Sequence, residues 1–140
     1  MKLLSLVLLL PMYLISLQSK AQNFTENDVK GNWTITEVIT TKPVNETQKK
    51  VVAGFKNGVF VFNNDHSFEL KTQDKSIYIT MLKQQLAKAQ WQFIANTKEI
   101  KIGTLQNNYS ILNIEIKEKD NNTILFVLSE TGIGLVVRKT

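Results

Sequence analysis

The chain contains no cysteine among its 140 residues. Disulfide bonds, thiolate metal sites and cysteine nucleophiles are therefore excluded, because each of them requires the thiol sulfur. A lipid anchor of the bacterial lipoprotein kind also lacks its attachment residue. The fold must therefore be stabilised by the burial of apolar side chains alone.

Histidine and arginine are almost absent as well, with one residue of each type, His66 and Arg138. A transition-metal site needs several imidazole or thiolate ligands, so we expect no metal and no cofactor. His66 stands in a polar stretch, where we expect it to be solvated. The Gly-x-Ser-x-Gly pattern of hydrolases is missing, and no paired carboxylates lie on the apolar faces. We therefore expect that the chain is not an enzyme.

An apolar segment stands at the start of the sequence. Lys2 is followed by the almost wholly apolar residues 3–17, and then by Ser19, Lys20 and Ala21. A short basic start, an apolar stretch and small residues just before the cut describe a secretory signal peptide. A membrane-spanning helix would need about 20 apolar residues. We expect residues 1–21 to be a signal peptide, and residues 22–140 to form one secreted or periplasmic domain.

The basic excess of the chain is modest. Its formal net charge of +5 falls to +3 when Lys2 and Lys20 leave with the signal peptide. A nucleic-acid footprint would show clustered lysine and arginine side chains, and only one arginine is present. We therefore expect a monomer with no nucleic-acid partner and no stable membrane insertion after signal cleavage.

Two short helical segments are predicted among strands. Thr25 with Asp28 three residues later is typical of a helix start, and Gly31 would end this helical turn. Residues 46–55 could form a second short helix that ends at Gly58. The intervening residues 33–40 alternate between apolar and polar side chains, which predicts a strand.

Turn residues and apolar faces together predict strand pairing in four further places. A turn over Asn64–His66 sets Phe62 opposite Phe68, with His66 in the left-handed region. A turn at residues 96–97 pairs Phe93 with Ile100 and Trp91 with Ile102. Later turns, around residues 119–121 and 131–132, predict these pairs: Ile116 with Ile124, Ile114 with Phe126, Leu128 with Leu135, and Phe126 with Val137.

The sequence thus predicts an all-β, antiparallel, up-and-down meander of eight or nine strands that closes into a small barrel. Residues 77–81 are predicted as one of these strands. Residues 82–89 fit helical spacing as well as strand spacing, and both interpretations stay open.

Four motifs in this order resemble the small secreted bacterial lipocalin-like domains of the lipocalin and fatty-acid-binding group. Gly31-Asn32-Trp33 matches the Gly-x-Trp of the first strand, and Ala89-Gln90-Trp91 resembles a second such motif. The stretch from Phe60 to Phe68 resembles the aromatic strand and turn of the family, with His66 where glycine is usual. Arg138 matches the basic residue that packs over the first tryptophan. The resemblance implies a lipocalin-like barrel that binds a small apolar or amphipathic ligand.

The resemblance makes Gly31, Trp33 and Arg138 a structural motif at the closed end of the barrel. Candidate ligand-binding residues are the aromatic residues of the predicted interior and one acidic residue on the face of Trp33: Glu37, Phe60, Phe62, Tyr78, Trp91 and Phe93. Trp91 could also be a core residue, and a bulge could instead turn Glu37 outward. An alternative function is a filled-core interaction protein, an inhibitor or envelope partner, that acts through its surface and the 41–58 loop.

Overall fold

The computed structural model describes residues 24–120 and 123–140 of the chain. The signal-peptide prediction for residues 1–21 therefore lies outside the described residues. The described part contains three short helices and eight strands. In chain order these are α1 (Glu26–Val29), β1 (Gly31–Thr40), α2 (Glu46–Phe55), β2 (Val59–Phe62), β3 (Phe68–Lys71), α3 (Ile77–Gln85), β4 (Gln90–Ile94), β5 (Glu99–Gly103), β6 (Leu112–Asp120), β7 (Thr123–Leu128) and β8 (Ile133–Lys139).

All eight strands form one antiparallel sheet in the order β3-β2-β1-β8-β7-β6-β5-β4. Except for β3 and β4, strands that follow one another in the chain are neighbours in the sheet, and β1 pairs with β8. Between β3 and β4 the ladder is replaced by an isolated bridge from Ser67 to Gln90. The result is a nearly closed barrel, which confirms the predicted all-β meander.

Both helices predicted before the first hairpin are present. In α1 the Asp28 carboxylate accepts hydrogen bonds from the Thr25 N–H, at 2.7 Å, and from the Thr25 hydroxyl, at 2.9 Å. At the start of α2, Asn45 and Gln48 satisfy each other's backbone N–H groups with their side-chain oxygens. Such capping satisfies donors that the first turn of a helix leaves without a partner.

The first two predicted hairpin registers are also confirmed. Phe62 pairs with Phe68, and the Asn63 N–H donates to the Ser67 carbonyl across the three-residue turn. His66 has a φ of +68°, in the left-handed region that the turn requires. On the next hairpin Trp91 pairs with Ile102, so both turns combine with one apolar face to fix the register.

The last two predicted registers are wrong by two residues. Ile116 pairs with Phe126 rather than with Ile124, because β6 continues to Asp120 with a register shift near its end. Phe126 in turn pairs with Leu135 rather than with Val137. The Thr131 hydroxyl donates to the Leu128 carbonyl and accepts from the Ile133 N–H, within a loop over residues 129–132 in place of the turn predicted at residues 131–132. A shift of two residues preserves the face of every side chain, so the core remains as expected.

The prediction of a strand over residues 77–81 is wrong, because α3 occupies this segment and continues to Gln85. The Ser76 hydroxyl caps the helix by accepting from the Ile79 N–H at 3.4 Å. Ile79, Leu82 and Leu86 then fall on one helix face, where Ile79 and Leu86 are buried and Leu82 packs against the core. Burial of this face outweighs the weak preference of Ile77, Ile79 and Thr80 for a strand.

A close contact joins α2 to α3. A Cβ atom added at Gly54 would overlap the Ile79 side chain, which is itself fully buried. The Thr72 hydroxyl adds a hydrogen bond of 3.0 Å to the Gly54 carbonyl. The two helices therefore pack as one unit, and we call residues 46–56 and 74–88 together the helical cap.

We expect Gly54→Ala to lower the free energy of unfolding by about 1–3 kcal/mol, because the added methyl group overpacks the contact with Ile79. Urea denaturation followed by circular dichroism measures the change. The control is Thr47→Ala on the exposed side of α2, which should change the free energy by less than about 0.5 kcal/mol. A Gly54→Ala variant as stable as the parent would contradict the close packing of the two helices.

Candidate functional site

Three of the six candidate ligand-binding residues lie together in the barrel interior. Phe60, Phe62 and Trp91 are each at most 1 % exposed. Phe62 meets Trp91 edge-on, with ring centroids 5.7 Å apart, and lies 6.3 Å from Phe126 on the opposite wall. Phe60 contacts Phe68 at 5.4 Å. The side chains predicted to line a ligand cavity therefore pack against one another.

The other three candidates do not join this group. Phe93 is half-buried and packs against Phe24 near the barrel end. Tyr78 is half-buried on α3, where the Lys50 ammonium lies 5.7 Å from the centre of its ring. The placement of Tyr78 in the barrel interior depended on the prediction that residues 77–81 form a strand, and that prediction is wrong.

Glu37 is exposed, because the register of β1 shifts beside it. Ile35 pairs with Val137, but Glu37 pairs with the very next residue of β8, Val136. Such a bulge places one extra residue in β1 and interrupts the alternation of its side chains. This geometry agrees with the bulge alternative that the sequence left open.

Trp33 forms the floor of the barrel. Its ring is 4 % exposed and lies 5.2 Å from the ring of Phe126, and its indole N–H donates to the Val29 carbonyl at 2.8 Å. Gly31 stands just before it with a φ of +122°, a conformation that side chains disfavour. The Gly-x-Trp motif therefore joins α1 to β1 and fills the closed end.

The cation over this tryptophan is Lys139, so the expectation for Arg138 is wrong. The Lys139 ammonium lies 5.5 Å from the centre of the Trp33 ring and donates to the Asp28 carbonyl at 2.8 Å. Trp33 and Lys139 are directly paired, whereas Arg138 pairs with Thr34 on the other face and is exposed. The sequence contained this signal, since neighbouring residues of a strand point to opposite faces.

We expect Lys139→Met to lower the free energy of unfolding by about 1 kcal/mol, through the loss of the cation–π contact and the hydrogen bond to α1. Arg138→Met is the matched control and should change it by less than about 0.5 kcal/mol. Thermal and urea unfolding of both variants measure the difference. A larger loss of stability for Arg138→Met than for Lys139→Met would indicate that Arg138, and not Lys139, covers Trp33.

Within the described residues, β3 and β4 form a seam without a full ladder, and His66 lies at one end of it, beside the Ser67–Gln90 bridge. The Trp91 N–H donates to the His66 carbonyl at 2.8 Å, and the two rings lie 4.7 Å apart. The imidazole Nε2 lies 2.9 Å from the Glu26 carboxylate of α1. A position expected to be merely solvated thus connects three elements, which only the fold could reveal.

Asp65 stabilises the turn beside this seam. Its carboxylate accepts hydrogen bonds from the Ser67 hydroxyl, at 2.6 Å, and from the Ser67 backbone N–H, at 2.9 Å. These two bonds, the hydroxyl first, lower the pKa of Asp65 from its usual 3.8. The ionised form is therefore favoured in the folded protein.

We expect Asp65→Asn to weaken the dependence of stability on acid pH. The ionised Asp65 carboxylate stabilises the folded state, because its pKa is lower in the folded protein than in the unfolded chain. This stabilisation is fully present above the ordinary pKa of 3.8 and is lost as the pH falls through the pKa of the folded protein. The free energy of unfolding of the parent should therefore fall more steeply below about pH 4 than that of the variant. Urea titrations at several acid pH values test this, and parallel curves for the two proteins would contradict it.

The helical cap presents apolar and basic side chains to solvent. Ile77 is 67 % exposed and Met81 is 51 % exposed on α3, whose Ile79 is buried. Ile77 lies in the segment predicted as a barrel strand, so its exposed position on a helix belongs to the same correction. Lysines of both cap segments, among them Lys49 and Lys50 on α2 and Lys83 on α3, are exposed as well.

The described residues form no metal site that would indicate a function. Within residues 24–120 and 123–140, no group of three or more histidine and acidic side chains is placed to hold a metal ion. Comparison with protein-family models, curated proteins and solved structures found no match for this chain. The packing of the barrel interior and the composition of the surface are therefore the features that indicate a function.

Proposed function

We propose that this chain is an exported lipocalin-like protein whose barrel is filled by its own side chains and which acts by contacting another molecule through its surface. The observation that carries the proposal is the aromatic packing of the interior. Phe60, Phe62, Trp91 and Phe126 occupy the volume in which a ligand of a wider barrel would lie. Small barrels are commonly filled in this way, whereas wider ones hold one small molecule.

The outer surface supports the same proposal. The segment 41–58, expected to act as a binding loop, contains α2 and forms half of the helical cap. Two large apolar side chains of this cap, those of Ile77 and Met81, are exposed although most of the apolar residues on the neighbouring strands are buried. A pair of neighbouring exposed apolar side chains is more informative about contacts than a single one.

Native mass spectrometry of the protein purified from the cells that produce it tests the proposal. We expect one species at the mass of the polypeptide alone, because the interior rings of Phe60, Phe62, Trp91 and Phe126 are buried against one another. Phe62→Ala is the positive control, since removal of a buried ring opens a cavity that can take up a small apolar molecule such as benzene. A co-purified lipid or other small molecule on the parent protein would contradict the filled barrel.

The same measurement tests the alternative, a small apolar or amphipathic ligand inside the barrel. That alternative requires the interior rings to separate, and a bound molecule seen on the parent protein would favour it. Comparison of the mass under native and denaturing conditions distinguishes a bound molecule from a covalent modification.

A further inference from the structure

The exposed face of α3 carries two apolar side chains that the barrel does not use. Ile77 and Met81 are four residues apart, so they lie side by side on one face of the helix. The opposite face, with Ile79 and Leu86, is buried in the protein. α3 is thus apolar on two sides, and only one of them is covered within the described residues.

Positive charge is concentrated in the helical cap. The helical cap contains six lysines, Lys49, Lys50, Lys56, Lys75, Lys83 and Lys88, and two carboxylates, Glu46 and Asp74, which gives a formal net charge of +4. Residues 24–140 have 15 basic and 12 acidic side chains, a net charge of +3. The rest of the domain is therefore slightly negative, and its positive field comes from the cap.

The lysines remain available to solvent. All six are exposed, and Glu46 already pairs with Lys49 at 3.0 Å. The Asp74 carboxylate accepts a hydrogen bond from the Ser76 N–H that precedes α3. Both carboxylates are already counted in the net charge of +4, so the cap keeps an excess of exposed lysines.

The exposed pair Ile77 and Met81 and the lysines of the cap together favour an anionic lipid surface as the partner. A separate depression of about 720 Å³ beside α3 is lined by Asp74 as well as by Lys75 and Lys83. Ile77 and Met81 do not belong to this lining, and they are 67 % and 51 % exposed. Projecting apolar side chains in a field of lysines match the two layers of an anionic lipid surface, the acyl boundary and the charged headgroups.

We infer that the helical cap docks reversibly on the surface of an anionic lipid bilayer, with Ile77 and Met81 entering the headgroup boundary and the cap lysines contacting the phosphates. This inference rests on the proposed function, because it names the molecule that the surface contacts. Among the described residues, no helix has the length and apolar character to cross a bilayer. The contact is accordingly interfacial, and it weakens with salt because its electrostatic part is screened.

Sedimentation with vesicles of phosphatidylcholine, with and without phosphatidylglycerol, tests the inference. We expect the protein to sediment with the anionic vesicles at low salt and to remain in solution with the neutral ones. Lys75→Gln combined with Lys83→Gln should weaken binding by about 30-fold, because each lysine near an anionic surface contributes about a factor of five. Ile77→Ser combined with Met81→Ser should weaken it by roughly tenfold through lost apolar burial.

The matched control is Lys117→Gln combined with Lys119→Gln on β6, which removes the same charge outside the cap. It should leave vesicle binding within about twofold of the parent, because these lysines lie on β6, outside the surface proposed to contact the bilayer, and salt screens charges at a distance. Circular dichroism and thermal unfolding of each variant establish that it is folded. If the cap variant and the control variant lost vesicle binding equally, the net charge of the protein alone would explain the loss. That result would overturn the assignment of binding to the cap.

Two further outcomes would overturn the docking surface. One is an absence of binding to anionic vesicles at low salt. The other is a concentration-dependent dimer of the parent in analytical ultracentrifugation that Ile77→Ser with Met81→Ser abolishes, which would assign the apolar face to a second copy of the chain. In either case a ligand-free native mass spectrum would leave the filled barrel standing, so failure of the docking inference is distinguishable from failure of the proposed function.

Discussion

The contact of aromatic rings across the barrel interior is the constraint on which the rest of the structure depends. Phe62 on β2 contacts two rings from distant strands of the sheet. Its ring centroid lies 5.7 Å from that of Trp91 on β4 and 6.3 Å from that of Phe126 on β7. Trp33 on β1 extends the cluster to the floor through its contact with Phe126. In a chain without disulfides these rings hold the walls of the barrel together, and they do so by occupying the space between the walls.

A filled interior also explains how an incomplete ladder is tolerated. β3 and β4 lack a full set of hydrogen bonds to one another, so the sheet has two edges at which chains could associate. The buried ring of Trp91, the imidazole of His66 and the helix α1 cover one end of this gap. The helix α3 follows β3 in the chain and leads back to β4, with Ile79 and Leu86 buried. Side-chain packing thus replaces the missing backbone pairing along the seam.

Because aromatic rings fill the interior, contacts with other molecules are expected on the outside of the barrel. Once the interior rings fill the space, the residues free to meet other molecules are on the surface, and the most distinctive surface is the helical cap. Its net charge of +4 contrasts with the slightly negative remainder, and it carries exposed Ile77 and Met81. The close contact of Gly54 with Ile79 keeps the two cap helices in one arrangement, so charge and apolar area are presented together.

The sequence by itself determined the features that depend on neighbouring residues. These are the turn at His66, the helix α2, the apolar faces of the strands and the antiparallel meander, because turn chemistry and side-chain alternation are local. The tertiary structure alone decided the two-residue shifts at β6–β7 and β7–β8, since such shifts leave every face unchanged. It also decided that residues 77–85 are helical, that a bulge turns Glu37 outward, and that the candidate ligand-lining rings contact each other. Each of these depends on which distant side chain fills the adjoining space, and no local pattern in the sequence contains that information.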